Sequence, residues 1–173
     1  MALHVCCGPC ATAVIERLAE DWSVVAVWYN PNIQPDDEHQ RRLEAMRAVA
    51  GRTETRLAVL EYEVARWREE CAGLMDEPEG GARCEVCFRM RLEAVARWAV
   101  AEGIETIATT LTISPHKDAG RINAIGAEVA AHHHLRFLAE DFKQEHGFQR
   151  SVELSRRWGL YRQGYCGCLP SVR

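Results

Sequence analysis

The sequence predicts an α/β fold with a doubly wound parallel sheet and a cysteine-rich C-terminal tail. Short β-branched and apolar runs alternate with amphipathic stretches of helical length, which is typical of βαβ units. The strand candidate at 23–29 (SVVAVWY) is almost continuously apolar, as expected of a strand covered on both faces. With 173 residues, 47% of them hydrophobic, the chain has the usual size of one compact domain. We therefore expect residues 1–173 to form a single domain.

The predicted elements follow in order along the chain. A strand at 3–5 precedes a helix at 11–19, and the strand at 23–29 should be central in the sheet. The acidic residues 36–38 favour a helix start, because they suit the positive end of the helix dipole, and Gly51 should end that helix. Further strands are predicted at 53–60, 105–111 and 135–138, and further helices at 62–71, 84–103, 118–131 and 151–158.

Composition and charge limit the class of function. The net charge of −4 lacks the basic excess of a protein that holds nucleic acid by phosphate neutralisation alone, but it permits a local basic face. No apolar stretch has membrane-spanning length, and the first residues lack a signal-peptide pattern, so we expect a cytoplasmic protein without membrane partners. Thiols stay reduced in the cytoplasm, and the eight cysteines are therefore predicted to be metal ligands or redox centres.

Polar and reactive segments follow four of the predicted strands. Sites in open parallel sheets form at the carboxyl ends of strands, so we expect these four segments to face one crevice. They are Cys6-Cys7-Gly8-Pro9-Cys10, Asn30-Pro31-Asn32, the run from Thr112 to Lys117, and Asp141-Phe142-Lys143.

The cysteine spacing indicates a thiolate-bound metal. Cys84 and Cys87 share one face of a predicted helix start, where the helix dipole favours thiolates, and Cys6, Cys7 and Cys10 lie at another helix start. Four or five ligands are then available for zinc or for an iron–sulfur cluster. The cluster is favoured, because a zinc ribbon usually brings its two pairs within about 15–20 residues of each other, whereas most of the chain separates these groups.

Three other interpretations of the cysteines remain open at this stage. The segment Cys7-Gly8-Pro9-Cys10 also matches the thioredoxin redox motif, although here it follows the first strand. A non-catalytic, zinc-stabilised RNA-binding module would also explain the thiolates. The tail segment Cys166-Gly167-Cys168 is compatible with a strained disulfide, which suits a redox couple, or with two further metal ligands.

Five separated motifs occur in order along nearly the whole chain. They are His4-Val5-Cys6-Cys7-Gly8-Pro9-Cys10, Tyr29-Asn30-Pro31-Asn32-Ile33, Glu77-Pro78-Glu79-Gly80-Gly81-x-Arg83-Cys84-x-x-Cys87-Phe88, Thr109-Thr110-Leu111-x-Ile113-Ser114-Pro115-His116-Lys117 and Gly159-Leu160-Tyr161-Arg162-Gln163-x-Tyr165-Cys166-Gly167-Cys168. Together they resemble the QueH-type epoxyqueuosine reductases, which complete queuosine synthesis in bacterial tRNA without cobalamin. Gln34 and His39 depart from the His and Tyr of that pattern and receive no substrate role.

The resemblance implies a fold like the adenine-nucleotide α-hydrolases (HUP-like) and a [4Fe–4S] cluster held by Cys6, Cys7, Cys84 and Cys87. It leaves room for an additional mononuclear iron, with Cys10 as a further candidate ligand. Cys166 and Cys168 match the redox-active pair of the family.

The implied reaction is a two-electron deoxygenation of the epoxide of epoxyqueuosine, which releases water and uses an external electron donor. The implied partner is the tRNA anticodon loop that carries the epoxide nucleoside. Candidates for substrate binding or proton donation, chosen by residue type and predicted placement, are Asn30, Asn32, His116, Lys117, Asp141, Lys143, Tyr161 and Arg162.

Overall fold

The computed structural model describes residues 1–172, in which five strands form one parallel sheet. The elements are β1 (Ala2–His4), α1 (Gly8–Leu18), β2 (Val25–Trp28), α2 (Asp36–Arg52), β3 (Arg56–Val59), α3 (Val64–Glu70), α4 (Ala82–Ala101), β4 (Thr106–Thr109), α5 (Ala119–His132), β5 (Arg136–Phe137) and α6 (Gly147–Arg157). Short 3-10 turns cover Ala72–Leu74, Thr110–Ile113 and Leu169–Ser171. The predicted α/β class with a parallel sheet is confirmed, while the likeness to adenine-nucleotide α-hydrolases stays a prediction.

The strand order is β3-β2-β1-β4-β5, so β1 occupies the centre of the sheet. We expected the apolar strand at 23–29 to be central, and this was wrong: β2 lies between β1 and β3. An apolar run indicates that a strand is covered on both faces, and this holds for every interior strand. It therefore does not tell which interior strand lies in the middle of the sheet. From β1 the chain builds outward first through β2 and β3 and then, on the other side, through β4 and β5. The β1/β4 junction is therefore the point at which ligands bind in such sheets.

Helices cover both faces of the sheet, as doubly wound architecture requires. Side chains of a strand alternate between the faces, and Leu3 packs on the side of α1, α2 and α6, whereas Ala2 packs on the side of α4 and α5. Both residues are fully buried. No helix within residues 1–172 is both long and apolar enough to cross a membrane.

Most helix boundaries differ from the sequence prediction by one to four positions, and two of the differences have a clear local cause. Helix α2 continues through Gly51 to Arg52, because the amide of Thr53 still donates to Val49 O at 3.0 Å. Glycine inside a helix costs only about 1 kcal/mol, which neighbouring turns can offset. Helix α6 begins at Gly147, four positions before the predicted start, directly after His146, whose φ of 60° places it in the left-handed region.

Gly8 marks the closest approach of α1 to α2. A Cβ at this position would lie 2.6 Å from the carbonyl oxygen of Ala45, which is backbone and cannot yield. We expect Gly8→Ala to lower the free energy of unfolding by about 1–3 kcal/mol, the usual range for overpacking. Gly51→Ala is the matched control, because nothing lies within 4 Å of its added Cβ. Gly51→Ala should raise the free energy of unfolding by about 0.5–1 kcal/mol in the same denaturant titration. Equal free energies of unfolding for the Gly8→Ala and Gly51→Ala proteins would contradict the close approach of α1 to α2.

Candidate metal and redox site

Three thiols converge directly after β1. Cys7 is the N-cap of α1, and its sulfur accepts a hydrogen bond from the amide of Cys10 at 3.4 Å. Its backbone is extended, with φ −169° and ψ 160°, and the helix begins at the next residue. The three sulfur atoms lie within 4.8 Å of one another, a spacing compatible with shared coordination of a metal ion. We call Cys6, Cys7 and Cys10 the thiol trio.

The trio does not titrate as three ordinary thiols. Hydrogen bonds from Cys10 and Cys7 hold the pKa of Cys6 well below its usual value, and the nearby charge of Arg91 adds to this effect. Hydrogen bonds to Cys6 and Cys7, together with burial, raise the pKa of Cys10 well above its usual value. The trio therefore favours one thiolate and retains protons elsewhere, and a bound cation would displace those protons.

Cys84 and Cys87 lie in the first two turns of α4, near the helix start that the sequence predicted. Both are buried, and the amide of Gly80 donates to Cys84 Sγ at 3.2 Å. Cys84 belongs to the apolar cluster against which Cys6 packs, whereas Cys87 packs in a cluster with Cys168. Burial raises the pKa of Cys87 to about 12. The structure thus groups Cys10 with Cys6 and Cys7, and α4 brings its pair from the adjoining side, outside the trio.

The two tail cysteines are free thiols in unlike surroundings. Cys166 is partly exposed and accepts a hydrogen bond from Lys117 Nζ at 3.2 Å. Cys168 is 6% exposed and packs in the apolar cluster that contains Trp67. Gly167 between them has a φ of 143°, and a Cβ there would lie 2.8 Å from Asn32 Nδ2. Only glycine fits this turn without displacing its neighbours.

A buried ion pair fastens the tail to α2. Arg42 is 1% exposed and donates from Nη1 to Cys166 O at 2.9 Å and from Nη2 to Tyr165 O at 3.2 Å. Its Nε donates to Glu38 Oε1 at 2.6 Å, and the Tyr161 hydroxyl donates to the same carboxylate. We call Glu38, Arg42 and Tyr161 the tail clasp. The sequence reading missed it: Glu38 was assigned to the helix dipole, and its i,i+4 spacing to Arg42 was the available signal.

A cavity of about 250 Å³ opens beside the β1/β4 junction. Sulfur and cationic side chains share its wall, which is what a site for an anionic or electron-rich ligand requires. Lining residues include Cys6, Cys10, Arg91, His116, Lys117 and Cys166. A second cavity, of about 330 Å³, lies between α1 and α6, and its described lining contains no cysteine.

The predicted substrate residues divide into four sets, of which Asp141 and Lys143 form the last. His116, Lys117 and Arg162 line the cavity. Asn30 and Asn32 are almost fully buried: Asn30 Nδ2 donates to Val5 O at 2.9 Å, and Asn32 lies against Gly167. These two residues therefore hold neighbouring segments in place and do not line the cavity. Tyr161 belongs to the tail clasp, and the departing positions Gln34 and His39 are buried and bonded to Arg68 and Trp28.

Lys143 and Asp141 brace the loop after β4 and do not line the cavity. Lys143 Nζ donates to Thr112 O at 3.1 Å and to Lys117 O at 3.3 Å, and it pairs with Asp141 Oδ1 at 3.0 Å. Of the four segments expected to face one crevice, the structure brings two to its wall, namely the thiol-trio segment and the 112–117 loop. The other two support it.

Arg91 is a site residue that sequence reasoning missed. It lies one turn after Cys87 on α4, is 2% exposed and lines the cavity. Its Nη2 donates to Asn30 Oδ1 at 2.5 Å, while its Nε is buried and has no hydrogen-bond partner within residues 1–172. The i+4 spacing from Cys87 was the only available signal, because charged helix residues are usually solvent-exposed.

The donor set fits a thiolate-bound metal group. The sulfur atoms already receive hydrogen bonds that stabilise anionic sulfur: Thr110 Oγ1 donates to Cys6 at 3.4 Å, and Gln163 Nε2 donates to Cys7 at 3.1 Å. The buried guanidinium of Arg91 adds a positive charge on the same cavity wall as Cys6 and Cys10. Thiolate sulfur is the ligand of iron–sulfur clusters and of zinc, so the residues present suit either.

Fold and site together define a class: an α/β protein whose sheet junction carries a thiol-lined centre able to bind a metal. A family profile described as "QueH: Epoxyqueuosine reductase QueH" matches residues 1–173. Proteins named epoxyqueuosine reductase QueH are similar to this chain throughout. That of Streptococcus pyogenes serotype M1 is 39% identical over 178 residues, which cover 99% of this chain and 69% of the relative. That of Thermotoga maritima is 35% identical over 173 residues, which cover 98% of this chain and 88% of the relative.

The relative from Staphylococcus epidermidis is 37% identical over 175 residues, which cover 96% of this chain and 74% of the relative. The chain belongs to the epoxyqueuosine reductase QueH family. The resemblance found from the five motifs is thereby confirmed.

Proposed function

We propose that residues 1–173 form one reductase domain that removes the epoxide oxygen of epoxyqueuosine in tRNA to give queuosine. The observation that carries the proposal is the convergence of Cys6, Cys10 and Cys166 with Lys117 on one cavity, in a chain of the reductase family. Redox thiols and a proton-bearing cation are the two functions that this reaction needs in one place.

The reaction balances with the groups of this chain. Converting an epoxide to an alkene consumes two electrons and two protons and releases one water. When Cys166 and Cys168 close to a disulfide, their two thiols lose two electrons and two protons. An external electron donor then restores the dithiol. Both cysteines are free thiols in the structure, which is the state that carries these reducing equivalents.

For the cofactor we infer a [4Fe–4S] cluster held by cysteines from the thiol trio and from α4, with an additional mononuclear iron among the surplus ligands. Five thiols lie at the two helix starts, one more than a single cluster takes. Such iron, when bound, supplies single-electron transfer and Lewis acidity toward oxygen. Centres that depend on free thiols need a reducing compartment, which supports a cytoplasmic location.

The cavity side chains position the substrate and handle its protons. The sulfur atoms of Cys166 and Cys6 outweigh the opposing effect of burial and raise the pKa of Lys117, so that its ammonium persists as a donor toward the developing oxygen anion. His116 lies on the same wall and can relay a proton from solvent. We infer that an unstacked base from the anticodon loop enters this cavity.

The test is incubation of reduced, iron-loaded protein with tRNA that contains epoxyqueuosine, followed by nucleoside mass spectrometry. We expect a product that has lost one oxygen atom. Cys71→Ala is the matched control, because Cys71 is fully buried in an apolar cluster and lies outside the cavity wall. It should retain the activity. Iron-loaded, reduced protein that leaves the nucleoside unchanged would overturn the proposed function.

A further inference from the structure

The tail cysteines differ in access to solvent. Cys166 is partly exposed on the cavity wall, and Cys168 is 6% exposed in the apolar cluster formed by Tyr29, Trp67, Cys71 and Cys87. A thiol reagent or a protein dithiol can therefore reach the Cys166 sulfur without displacing core side chains. Reaching the Cys168 sulfur would require opening that cluster.

The two sulfurs differ in electrostatic environment as well. Lys117 Nζ lies 3.2 Å from Cys166 Sγ, at hydrogen-bond distance, and its side chain is only 12% exposed. The same nitrogen also pairs with Glu79, whose Oε1 is farther away, at 3.9 Å. Lys117 is itself held in place, since its carbonyl accepts from Lys143 Nζ at 3.3 Å. The ammonium is thus directed at one cysteine of the pair.

From this asymmetry we propose that Cys166 is the exchanging thiol of the redox pair, that Cys168 is its protected partner, and that Lys117 is the counter-ion of the Cys166 thiolate. This inference rests on the proposed redox role of the pair and extends it by assigning an order to the two thiols. The external electron donor is then a dithiol that docks at the cavity mouth.

The exchange proceeds in two balanced steps. A thiolate of the external dithiol attacks Cys166 Sγ of the closed disulfide, which forms a mixed disulfide and expels Cys168 as a thiolate that takes up a proton. The second thiol of the donor then loses its proton and attacks the donor's first sulfur, which is bonded to Cys166 in the mixed disulfide. This step expels Cys166 as a thiolate beside Lys117. The donor leaves oxidised by two electrons, and the pair is reduced by two.

Lys117 therefore acts on the last step and on the equilibrium. Its ammonium attracts an anionic sulfur, and Cys166 carries that charge only in the reduced pair. The ion pair stabilises the reduced state of the two cysteines relative to their disulfide, and so raises the reduction potential of the pair.

The order of the thiols is tested with matched variants. Metal-loaded Cys168→Ser and Cys166→Ser proteins are treated with 5,5'-dithiobis(2-nitrobenzoate), and adducts are mapped by peptide mass spectrometry. Cleavage after Arg162 isolates a peptide with no other cysteine. We expect the Cys168→Ser protein, which keeps Cys166, to react fully before the Cys166→Ser protein reacts appreciably, because the Cys166 sulfur lies on the cavity wall and Cys168 is buried in the apolar cluster. Equal rates, or faster reaction of Cys168, would overturn the order.

The role of Lys117 has its own measurement. In redox titration, Lys117→Met should lower the reduction potential of the pair by about 30 mV for each tenfold loss in the equilibrium constant of reduction. Lys117→Arg keeps the positive charge and should restore most of the potential, which a purely structural role does not predict. An unchanged potential in a folded, metal-loaded Lys117→Met protein would refute the counter-ion assignment.

These assays need no tRNA, so they fail independently of the proposed function. Deoxygenation with Cys168 reacting first would remove only the assigned order. Rapid exchange at Cys166 without deoxygenation would remove the proposed function and leave the order standing.

Discussion

Replacing Cys7 with alanine is expected to reduce metal binding at least tenfold and to abolish deoxygenation. Removal of an outer-shell partner alone typically costs 10–100-fold in metal affinity, and loss of a ligand should cost no less. Cys7 is the N-cap of α1, is fully buried, and contributes one of the three sulfurs that lie within 4.8 Å of one another. The measurement is iron and acid-labile sulfide per chain after anaerobic purification, together with visible absorption.

Cys71→Ala is the control for this experiment too. It removes an equally buried thiol that lies outside the trio, and it should leave the metal content unchanged. A Cys7→Ala protein that retains full iron and sulfide would rule out Cys7 as a ligand. Zinc in place of iron in the parent protein would exclude the cluster but keep the thiolate site.

Arg42→Met is expected to lower the free energy of unfolding by about 3–5 kcal/mol, because it removes the buried partner of the Glu38 carboxylate and leaves only the exposed Arg41, at 3.7 Å, as its counter-charge. The same change frees the carbonyls of Tyr165 and Cys166, so the tail should become sensitive to limited proteolysis. Denaturant unfolding with tail cleavage as a second probe measures both effects.

Arg47→Ala is the matched control on the same helix. Arg47 also pairs with a glutamate at 2.5 Å, but its side chain is 51% exposed, so its loss should cost less than about 1 kcal/mol. The double variant Arg42→Met with Glu38→Gln should recover part of the lost stability, since no unpaired charge remains buried. Equal costs for Arg42→Met and Arg47→Ala would show that the tail clasp does not hold the tail.

The clasp and the thiol order have a common consequence for the site. Arg42 fixes the backbone at Tyr165 and Cys166, and Lys117 meets the Cys166 side chain from the loop after β4. Two separate elements thus hold one sulfur at the cavity wall. We expect loss of either contact to change the rate of thiol–disulfide exchange at Cys166 while the sheet stays folded.

Much of the site was readable from sequence because it depends on local spacing. Cys84 and Cys87 were expected at a helix start, and α4 begins two residues before Cys84. The Cys6–Cys10 segment was expected to follow the first strand, which it does. The helix and strand alternation gave the sheet class for the same reason, since periodicity reports which residues of a segment are buried.

What the sequence by itself determined is therefore the α/β class, the cysteine-bearing segments after β1 and at the start of α4, and the family. Only the tertiary structure decided that β1 is central, that the three trio sulfurs lie within 4.8 Å of one another, that Asn30 and Asn32 are buried away from the cavity wall, and that Arg91 lines it. The tail clasp joins Arg42 to Cys166 across 124 positions of sequence. Such contacts depend on how whole elements pack, and residue spacing within one element carries no information about them.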